Sequence, residues 1–278
     1  MKNDIAAVVA NQSVHDAMVE GEYASLAPHL FHETVRGLYT QLVDYVYSLV
    51  SSSKSSPLVL DLGAGDGTAT IPFLEKGARV LAVDISEKQL SQLREKCKQY
   101  GSLLNARRDE MLNVLKEGGK FDVIVMNSVL HHIPDYLEVV NLAMRSLSEN
   151  GVFMSFQDPM WSSSISIRDT ILTNATFFAW RVRRDDVLGG MWRRFKRLIG
   201  IYSATSKYDN TEYHGVRDGV NQIAIRELFV NVGFECRVIE YCSFQSGEFQ
   251  LLGERLRVKN TFAIVAGRAI PDSQLFNN

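Results

Sequence analysis

Three glycines at alternate positions, Gly63, Gly65 and Gly67, constrain most strongly what this chain can fold into. They follow the short apolar run 58–61, which is typical of a buried β-strand, and they open a stretch with helical spacing. Glycine permits positive φ and lets a ligand approach the backbone, because it has no Cβ. The pattern therefore predicts a tight strand–turn–helix unit whose free backbone amides form a polar cradle.

Short apolar runs and amphipathic stretches alternate after this first unit. Such alternation indicates right-handed crossovers and a parallel sheet covered by helices on both faces. Further strands are predicted at 79–84, 103–107, 121–127 and 151–156, and an antiparallel pair that closes the sheet at 234–243 and 261–266. One helix is predicted to follow the glycines and to end at about residue 76. Further helices are predicted at 87–100, 134–149, 166–184, 187–199 and 221–232. We therefore predict an α/β protein with a doubly wound, mostly parallel seven-stranded sheet.

Two segments lie outside this alternation. The N-terminal part has helical spacing and ends in the serine-rich stretch 51–56, which is typical of a linker. The part after the fifth strand is aromatic and basic, with a net charge of +5 over 167–200, and is either a solvated helical face or a surface for anions. The predicted division is an N-terminal helical cap at 1–56, an α/β core at 57–157 and 220–278, and a helical lid insertion at 158–219.

Composition excludes several classes of function. Thirty Lys and Arg against 32 Asp and Glu give a net charge of −2, which argues against a nucleic-acid partner. No apolar run reaches the roughly 18–20 residues that span a bilayer, and the N-terminus lacks the pattern of a secretory signal. Three widely spaced cysteines predict reduced thiols rather than disulfides or a zinc site. We expect a cytoplasmic protein without membrane partner or metal.

Acidic residues stand at the ends of the first two strands. Asp61 immediately precedes the glycines, and Asp84 ends the next strand, where a carboxylate can accept two hydrogen bonds from a ribose diol. The glycine spacing differs from the Gly-x-Gly-x-x-Gly of dinucleotide sites and lacks the Lys-Ser/Thr of a phosphate loop, so an NAD-type oxidoreductase is disfavoured. The strand ends thus predict a site for a cationic ligand that carries a ribose.

The segment from Asp61 to Gly67, together with Asp84, resembles the S-adenosylmethionine site of class I methyltransferases. The stretch Phe121-Asp-Val-Ile-Val-Met-Asn-Ser-Val-Leu-His-His-Ile-Pro-Asp135 is similar to the segment that small-molecule members, such as natural-product O-methyltransferases, carry at the same place. The resemblance covers 57–157 well and 220–267 loosely. It implies a Rossmann-like methyltransferase fold and S-adenosyl-L-methionine as cofactor.

The same resemblance implies which residues bind the cofactor. Asp61 and the turn would hold the methionine moiety, Asp84 the ribose hydroxyls, and Asp109 the adenine amino group. Asn127 would contact the methionine end through its backbone. The implied cofactor-binding residues are Asp61, Gly63, Ala64, Gly65, Gly67, Asp84, Ile85, Asp109, Glu110, Met111 and Asn127.

Two histidines and an aspartate are the candidate catalytic residues. His131 and His132 follow the fourth strand, Asp158 follows the fifth, and together they resemble the His-His…Asp arrangement of sugar O-methyltransferases. A protonated acceptor needs a general base, for which histidine is suited near neutral pH. Adjacent residues point in different directions, so we expect one histidine to reach the substrate and prefer His132. In the alternative, all three residues are structural.

The substrate is determined least by the sequence. Trp161, Tyr213 and His214 are candidate substrate-binding residues in the predicted lid. The leading hypothesis is methyl transfer to a hydroxyl oxygen of a small organic acceptor in secondary metabolism, by a monomer or homodimer. The alternatives are C- or N-methylation of a small molecule, or a methyltransferase-like fold that catalyses another reaction such as a cyclisation.

Overall fold

A single seven-stranded sheet organises the protein, whose computed structural model describes residues 28–52, 54–182, 214 and 218–276. The strands are β1 (Leu58–Leu62), β2 (Arg79–Asp84), β3 (Leu104–Arg108), β4 (Phe121–Asn127), β5 (Leu147–Pro159), β6 (Glu235–Tyr241) and β7 (Thr261–Gly267). Their order is β3-β2-β1-β4-β5-β7-β6. Strands β1 to β5 are parallel, whereas β7 is antiparallel to both β5 and β6.

Helices cover both faces of the sheet. They are α1 (Pro28–Phe31), α2 (Glu33–Ser51), α3 (Thr70–Glu75), α4 (Glu87–Lys96), α5 (Met111–Lys116), α6 (Tyr136–Arg145), α7 (Ile167–Val182), α8 (Gln222–Val230) and α9 (Gly247–Arg255). On one face α2, α3 and α4 bury an apolar cluster that includes Leu42, Phe73 and Leu93. On the other face α5, α6 and α8 bury a second cluster that includes Val140 and Phe229. Burial on both faces explains why β4 is apolar almost throughout.

The predicted doubly wound sheet and its antiparallel closing pair are confirmed. Helix bounds differ from the prediction by four residues in two places. The helix predicted at 134–149 ends at Arg145, because Leu147 already pairs with Phe121 as the first residue of β5. The helix predicted at 87–100 ends at Lys96 and continues as a tighter 3₁₀ segment, Lys98–Leu103. The short helices α5 and α9 were not predicted.

Helix caps fix where the chain leaves the carboxyl ends of the strands. Ser86 accepts a hydrogen bond from the Gln89 N–H, so α4 starts directly after β2. The Ser86 N–H donates to Asp84 Oδ1, which ties the cap to the last residue of β2. Asp135 caps α6 by accepting from the Glu138 N–H. The Ser86 cap therefore places the end of β2 directly beside the start of α4.

Several predictions can be compared with the described residues only in part. The helical stretch 166–184 is confirmed over the bounds of α7, whereas residues 4–27, the predicted helix 187–199 and Tyr213 lie outside the described residues. All three cysteines are buried free thiols. Within the described part of the chain, no helix has the length and apolarity to cross a membrane, and no three His, Cys, Asp or Glu side chains group as metal ligands.

Candidate active site

The glycine turn between β1 and α3 requires glycine for two different reasons. All three glycines have positive φ, at +79° for Gly63, +52° for Gly65 and +108° for Gly67. A Cβ on Gly63 would lie 2.5 Å from Val129 Cγ2, so the turn packs directly against the loop after β4. A Cβ on Gly65 would meet nothing within 4 Å. The turn is therefore tightly packed at its start and open at its middle.

The amides of this turn are not free, which corrects the prediction. The N–H groups of Gly63 and Ala64 both donate to the Val83 carbonyl, at 2.8 and 3.1 Å. The Gly65 N–H donates to Asp84 Oδ2 at 2.8 Å, and the Gly67 N–H donates to the Ala64 carbonyl. These bonds tie the turn to the end of β2, because β2 lies beside β1 in the sheet. What the turn offers a ligand is the open space over Gly65.

Asp61 lies fully buried near the end of β1. Its Oδ2 accepts a hydrogen bond of 2.6 Å from the Thr70 hydroxyl, and its Oδ1 has no hydrogen-bond partner among the described residues. Burial raises the pKa of Asp61 to about 7, and the negative charge of Asp84 adds to this effect. A buried acceptor without a donor below an open glycine turn fits a cationic, hydrogen-bonding group such as the methionine end of S-adenosylmethionine.

Asp84 and its neighbours occupy the adjacent strand ends. Asp84 is half-buried, and its Oδ1 accepts from the Ser86 N–H at 2.8 Å, while Oδ2 accepts from Gly65. A contact of Asp84 with a ribose diol stays a prediction. The Asp109 N–H donates to the Asp84 carbonyl, and Met111 Cε comes within 3.2 Å of where a Gly63 Cβ would stand. The structure thus brings these predicted residues together, with Ile85 half-buried beside them.

The carboxylate of Asp109 is engaged within its own strand end. Its Oδ1 accepts from the Asn113 amide at 2.9 Å and from the Glu110 N–H at 2.8 Å, and its Oδ2 pairs with Arg107. The Asn113 hydrogen bond is the main factor that holds the pKa of Asp109 below its ordinary value, with Arg107 contributing. The Glu110 side chain is exposed. An adenine contact by Asp109 stays a prediction.

The carboxyl ends of β4 and β5 carry backbone strain. Ser128 has φ +56° and Gln157 has φ +66°, a region that residues other than glycine seldom adopt. The two residues lie on neighbouring strand ends, and the Ser128 N–H donates to the Phe156 carbonyl at 2.7 Å. Asn127, at the end of β4, is buried. Strained backbone of this kind concentrates at functional sites, which agrees with the position of these strand ends next to the glycine turn.

His131 and Asp158 form a buried pair. His131 Nδ1 is 2.7 Å from Asp158 Oδ1, and the His131 backbone N–H donates to the same oxygen at 3.1 Å. The ring of His132 lies against that of His131, with centroids 4.0 Å apart, and is half-buried rather than buried. The His132 N–H donates to the Val129 carbonyl, and Val129 packs on Gly63. The histidine pair is therefore linked to the glycine turn through Val129.

The predicted substrate residues are placed unequally. His214 lies at the histidine pair, because its N–H donates to the His131 carbonyl at 2.8 Å and its ring packs edge-on against Tyr136. Trp161 is half-buried and its N–H donates to Gln222. Tyr213 is outside the described residues. Sequence reasoning missed Val129 and Gln157, because an apolar and an amide residue in a loop give no signal of their contacts.

Comparison with known proteins agrees with this geometry. Residues 60–153 match the family model described as a methyltransferase domain. Magnesium-protoporphyrin O-methyltransferase of Synechocystis sp. is 29% identical over 125 residues, which cover 44% of this chain and 54% of that protein. Ubiquinone biosynthesis O-methyltransferase of Methylococcus capsulatus is 34% identical over 99 residues, which cover 34% of this chain and 41% of that protein. The chain thus spans about half the length of the curated relatives it matches.

A solved structure shares the fold over nearly the whole chain. The crystal structure of magnesium protoporphyrin IX methyltransferase from Synechocystis with bound S-adenosylhomocysteine has a TM-score of 0.52. It is 18% identical, and the match covers 97% of this chain and 100% of that one. Residues 60–153 thus match a methyltransferase domain, and the chain shares the fold of a solved methyltransferase.

Proposed function

We propose that this protein transfers the methyl group of S-adenosylmethionine to a hydroxyl oxygen of a small organic acceptor. The observation that carries the proposal is the half-buried His132 beside the buried His131–Asp158 pair, linked to the glycine turn through Val129. A hydroxyl must lose its proton during methylation, and an imidazole is the group best suited to accept it near neutral pH. The names of the curated relatives, both O-methyltransferases, support the same reaction class.

The cofactor residues have the task of alignment. The bound cofactor supplies an activated methyl group on a positively charged sulfur, with a neutral sulfide as leaving group. Asp61 would hold the cationic methionine end, and Asp84 would hold the ribose. Alignment of donor and acceptor at near-attack distance provides most of the rate enhancement in such a displacement.

His132 is our proposed general base. The His131 Nδ1 is already bonded to Asp158, and both of those side chains are buried, whereas part of the His132 side chain is exposed. In the proposed step the acceptor oxygen forms a bond to the methyl carbon, the carbon–sulfur bond breaks, and the hydroxyl proton passes to the His132 ring. His131, held by Asp158, would fix the orientation of the His132 ring through the contact between the two rings.

The finer predictions from the sequence belong to the same proposal. They are a small-molecule acceptor of secondary metabolism, a cytoplasmic monomer or homodimer, no nucleic-acid or membrane partner, and substrate contacts from Trp161, Tyr213 and His214. C- or N-methylation differs from O-methylation in the mass fragments of the product. A repurposed fold would bind S-adenosylmethionine and yield no S-adenosylhomocysteine.

The test is a methyl-transfer assay with deuterated S-adenosylmethionine and a panel of phenols, sugars, carboxylic acids and amines. We expect S-adenosylhomocysteine and a labelled methyl ether, with kcat lowered about 100-fold or more in His132→Gln, because a positioned base contributes about that factor. His32→Gln is the histidine control, because His32 bonds the Phe244 carbonyl and is not part of the His131–Asp158 pair. Transfer to nitrogen or carbon alone, or equal rates in His132→Gln, contradicts the proposal.

A further inference from the structure

Strand β5 changes the face of its side chains at Gln157. In the pairing with β7, Phe156 lies opposite Ala263 and Asp158 lies opposite Phe262, so Gln157 is an extra residue without an opposite partner. Residues two apart on a regular strand share a face, but one inserted residue turns the second of them to the other face. Phe156 accordingly packs in the first cluster, whereas Asp158 meets His131 on the opposite face. The bulge therefore turns the Asp158 carboxylate to the face of the sheet on which His131 lies.

The bulge is held from β6 by Tyr241. The Gln157 N–H donates to the Tyr241 hydroxyl oxygen at 3.1 Å, and that hydroxyl donates to Gln157 Oε1, also at 3.1 Å. The Gln157 amide donates in turn to Ser243 Oγ at 2.7 Å. The Tyr241 ring stacks on Phe156, with centroids 5.2 Å apart. Backbone and side chain of the bulged residue are therefore fixed at once, which offsets the strain of its positive φ.

The Tyr241 hydroxyl keeps its proton under all ordinary conditions. Burial raises the pKa of Tyr241 well above its usual value, and the negative charge of Asp158 adds to this, against the opposing hydrogen bond from Gln157. The hydroxyl can therefore always donate to Gln157 while it accepts from the backbone.

We propose that Gln157 and Tyr241 are positioning residues, which lock the β5 bulge and thereby hold Asp158 on His131 and His131 behind His132. Neither residue takes part in the chemistry. The geometric part of the proposal stands on the described contacts alone, and the part that concerns rate rests on the proposed function. Two separate measurements therefore distinguish a failure of one from a failure of the other.

The first measurement is the tautomer of His131, read from two-bond proton–nitrogen NMR spectra of the full chain with ¹⁵N-labelled histidine. With its Nδ1 on the Asp158 carboxylate, wild-type His131 should be protonated at Nδ1. Tyr241→Phe removes only the hydroxyl, and we expect it to convert His131 to a mixture of tautomers. Tyr45→Phe is the matched control, because its hydroxyl bonds the Pro271 carbonyl in an exposed part of the fold. An unchanged tautomer in Tyr241→Phe overturns the proposal.

The second measurement is the pH profile of kcat. The titratable neighbours of His131 that can affect this profile are His132, His214, Asp158 and Tyr241. We expect Tyr241→Phe to lower kcat about tenfold, the factor that corresponds to one lost hydrogen bond, and to shift the acid limb. The KM for S-adenosylmethionine should stay unchanged, because Asp61 and Asp84 are untouched. A lower kcat with an unshifted profile indicates a merely structural role and overturns the rate part of the proposal.

Gln157→Gly decides the question if Tyr241→Phe does not fold. Glycine adopts φ +66° without strain, so the bulge is retained while the side-chain bonds to Tyr241 and Ser243 are lost. We expect the same mixture of His131 tautomers as in Tyr241→Phe. If Gln157→Gly keeps the wild-type tautomer, the side chain does not position the pair. If no acceptor is ever methylated but the tautomers change as expected, the proposed function fails and the geometric inference holds.

Discussion

Asp61→Asn tests whether the buried Asp61 carboxyl destabilises the folded protein when it is ionised, a cost that the positively charged cofactor would offset. Burial raises the pKa of Asp61 from 3.8 to about 7, so between about pH 4 and about pH 7 the native state holds a proton that the unfolded chain has released. The free energy of unfolding therefore falls as pH rises through this window. At about 1.4 kcal/mol per pKa unit, the full loss is about 4 kcal/mol above pH 7.

The amide that Asp61→Asn introduces would be neutral at every pH and could still accept the Thr70 hydrogen bond. Burying this amide costs about 1–3 kcal/mol at all pH values, so the pH dependence, and not the absolute stability, reports the carboxyl. From about pH 5 to about pH 8, we expect the stability of Asp61→Asn relative to wild type to rise by about 3 kcal/mol. Urea unfolding of both proteins at several pH values measures this difference. Parallel stability curves would falsify the reasoning.

Asp122→Asn is the matched control with the opposite sign. Asp122 is buried as well, but hydrogen bonds from the Leu58 N–H and from Lys54 outweigh its burial and hold its pKa below the ordinary value. Its carboxylate contributes stability above the ordinary pKa, which is lost as pH falls through the depressed one. At pH 8 we therefore expect Asp122→Asn to be less stable than wild type, whereas Asp61→Asn is stabilised relative to its own difference from wild type at pH 5.

The remaining predictions concern the cofactor site. In Asp84→Ala we expect the calorimetric affinity for S-adenosylmethionine to fall by about 1–3 kcal/mol, because the ribose hydroxyls lose a charged acceptor; unchanged affinity contradicts this placement. Gly63→Ala should lower the free energy of unfolding by about 1–3 kcal/mol, because its Cβ would stand 2.5 Å from Val129 Cγ2. Gly65→Ala has open space and should cost only about 1–2 kcal/mol in stability, while it weakens cofactor binding more than it weakens the fold. In wild type the affinity for S-adenosylmethionine should increase as pH rises through about 7, and Asp61→Asn should lack this dependence.

The glycine turn and the acidic strand ends were predictable because their signals are local. Glycine adopts positive φ without strain, as Gly63 and Gly65 do, and Asp61 and Asp84 stand at strand ends that hydrophobic runs define. The prediction of free amides was wrong, because hydrogen bonds to the end of β2 depend on the sheet and not on the turn.

The grouping of the candidate catalytic residues was predictable, but their contacts were not. The sequence placed His131, His132 and Asp158 at neighbouring strand ends, and the structure brings them together. Which histidine bonds Asp158 could not be predicted, because the answer depends on a bulge that reverses the side-chain alternation of β5. Nothing in the sequence around Gln157 distinguishes a bulged strand from a regular one.

The sequence by itself determined the seven strands, most of the helices, the glycine turn and the acidic strand ends, since periodicity, backbone freedom and helix capping act over a few residues. Only the tertiary structure decided that Asp158 faces His131, 27 residues earlier, and that Tyr241 holds Gln157, 84 residues before it. These contacts join strands that are distant in sequence, and their register is set by the packing of the whole sheet between its two apolar clusters.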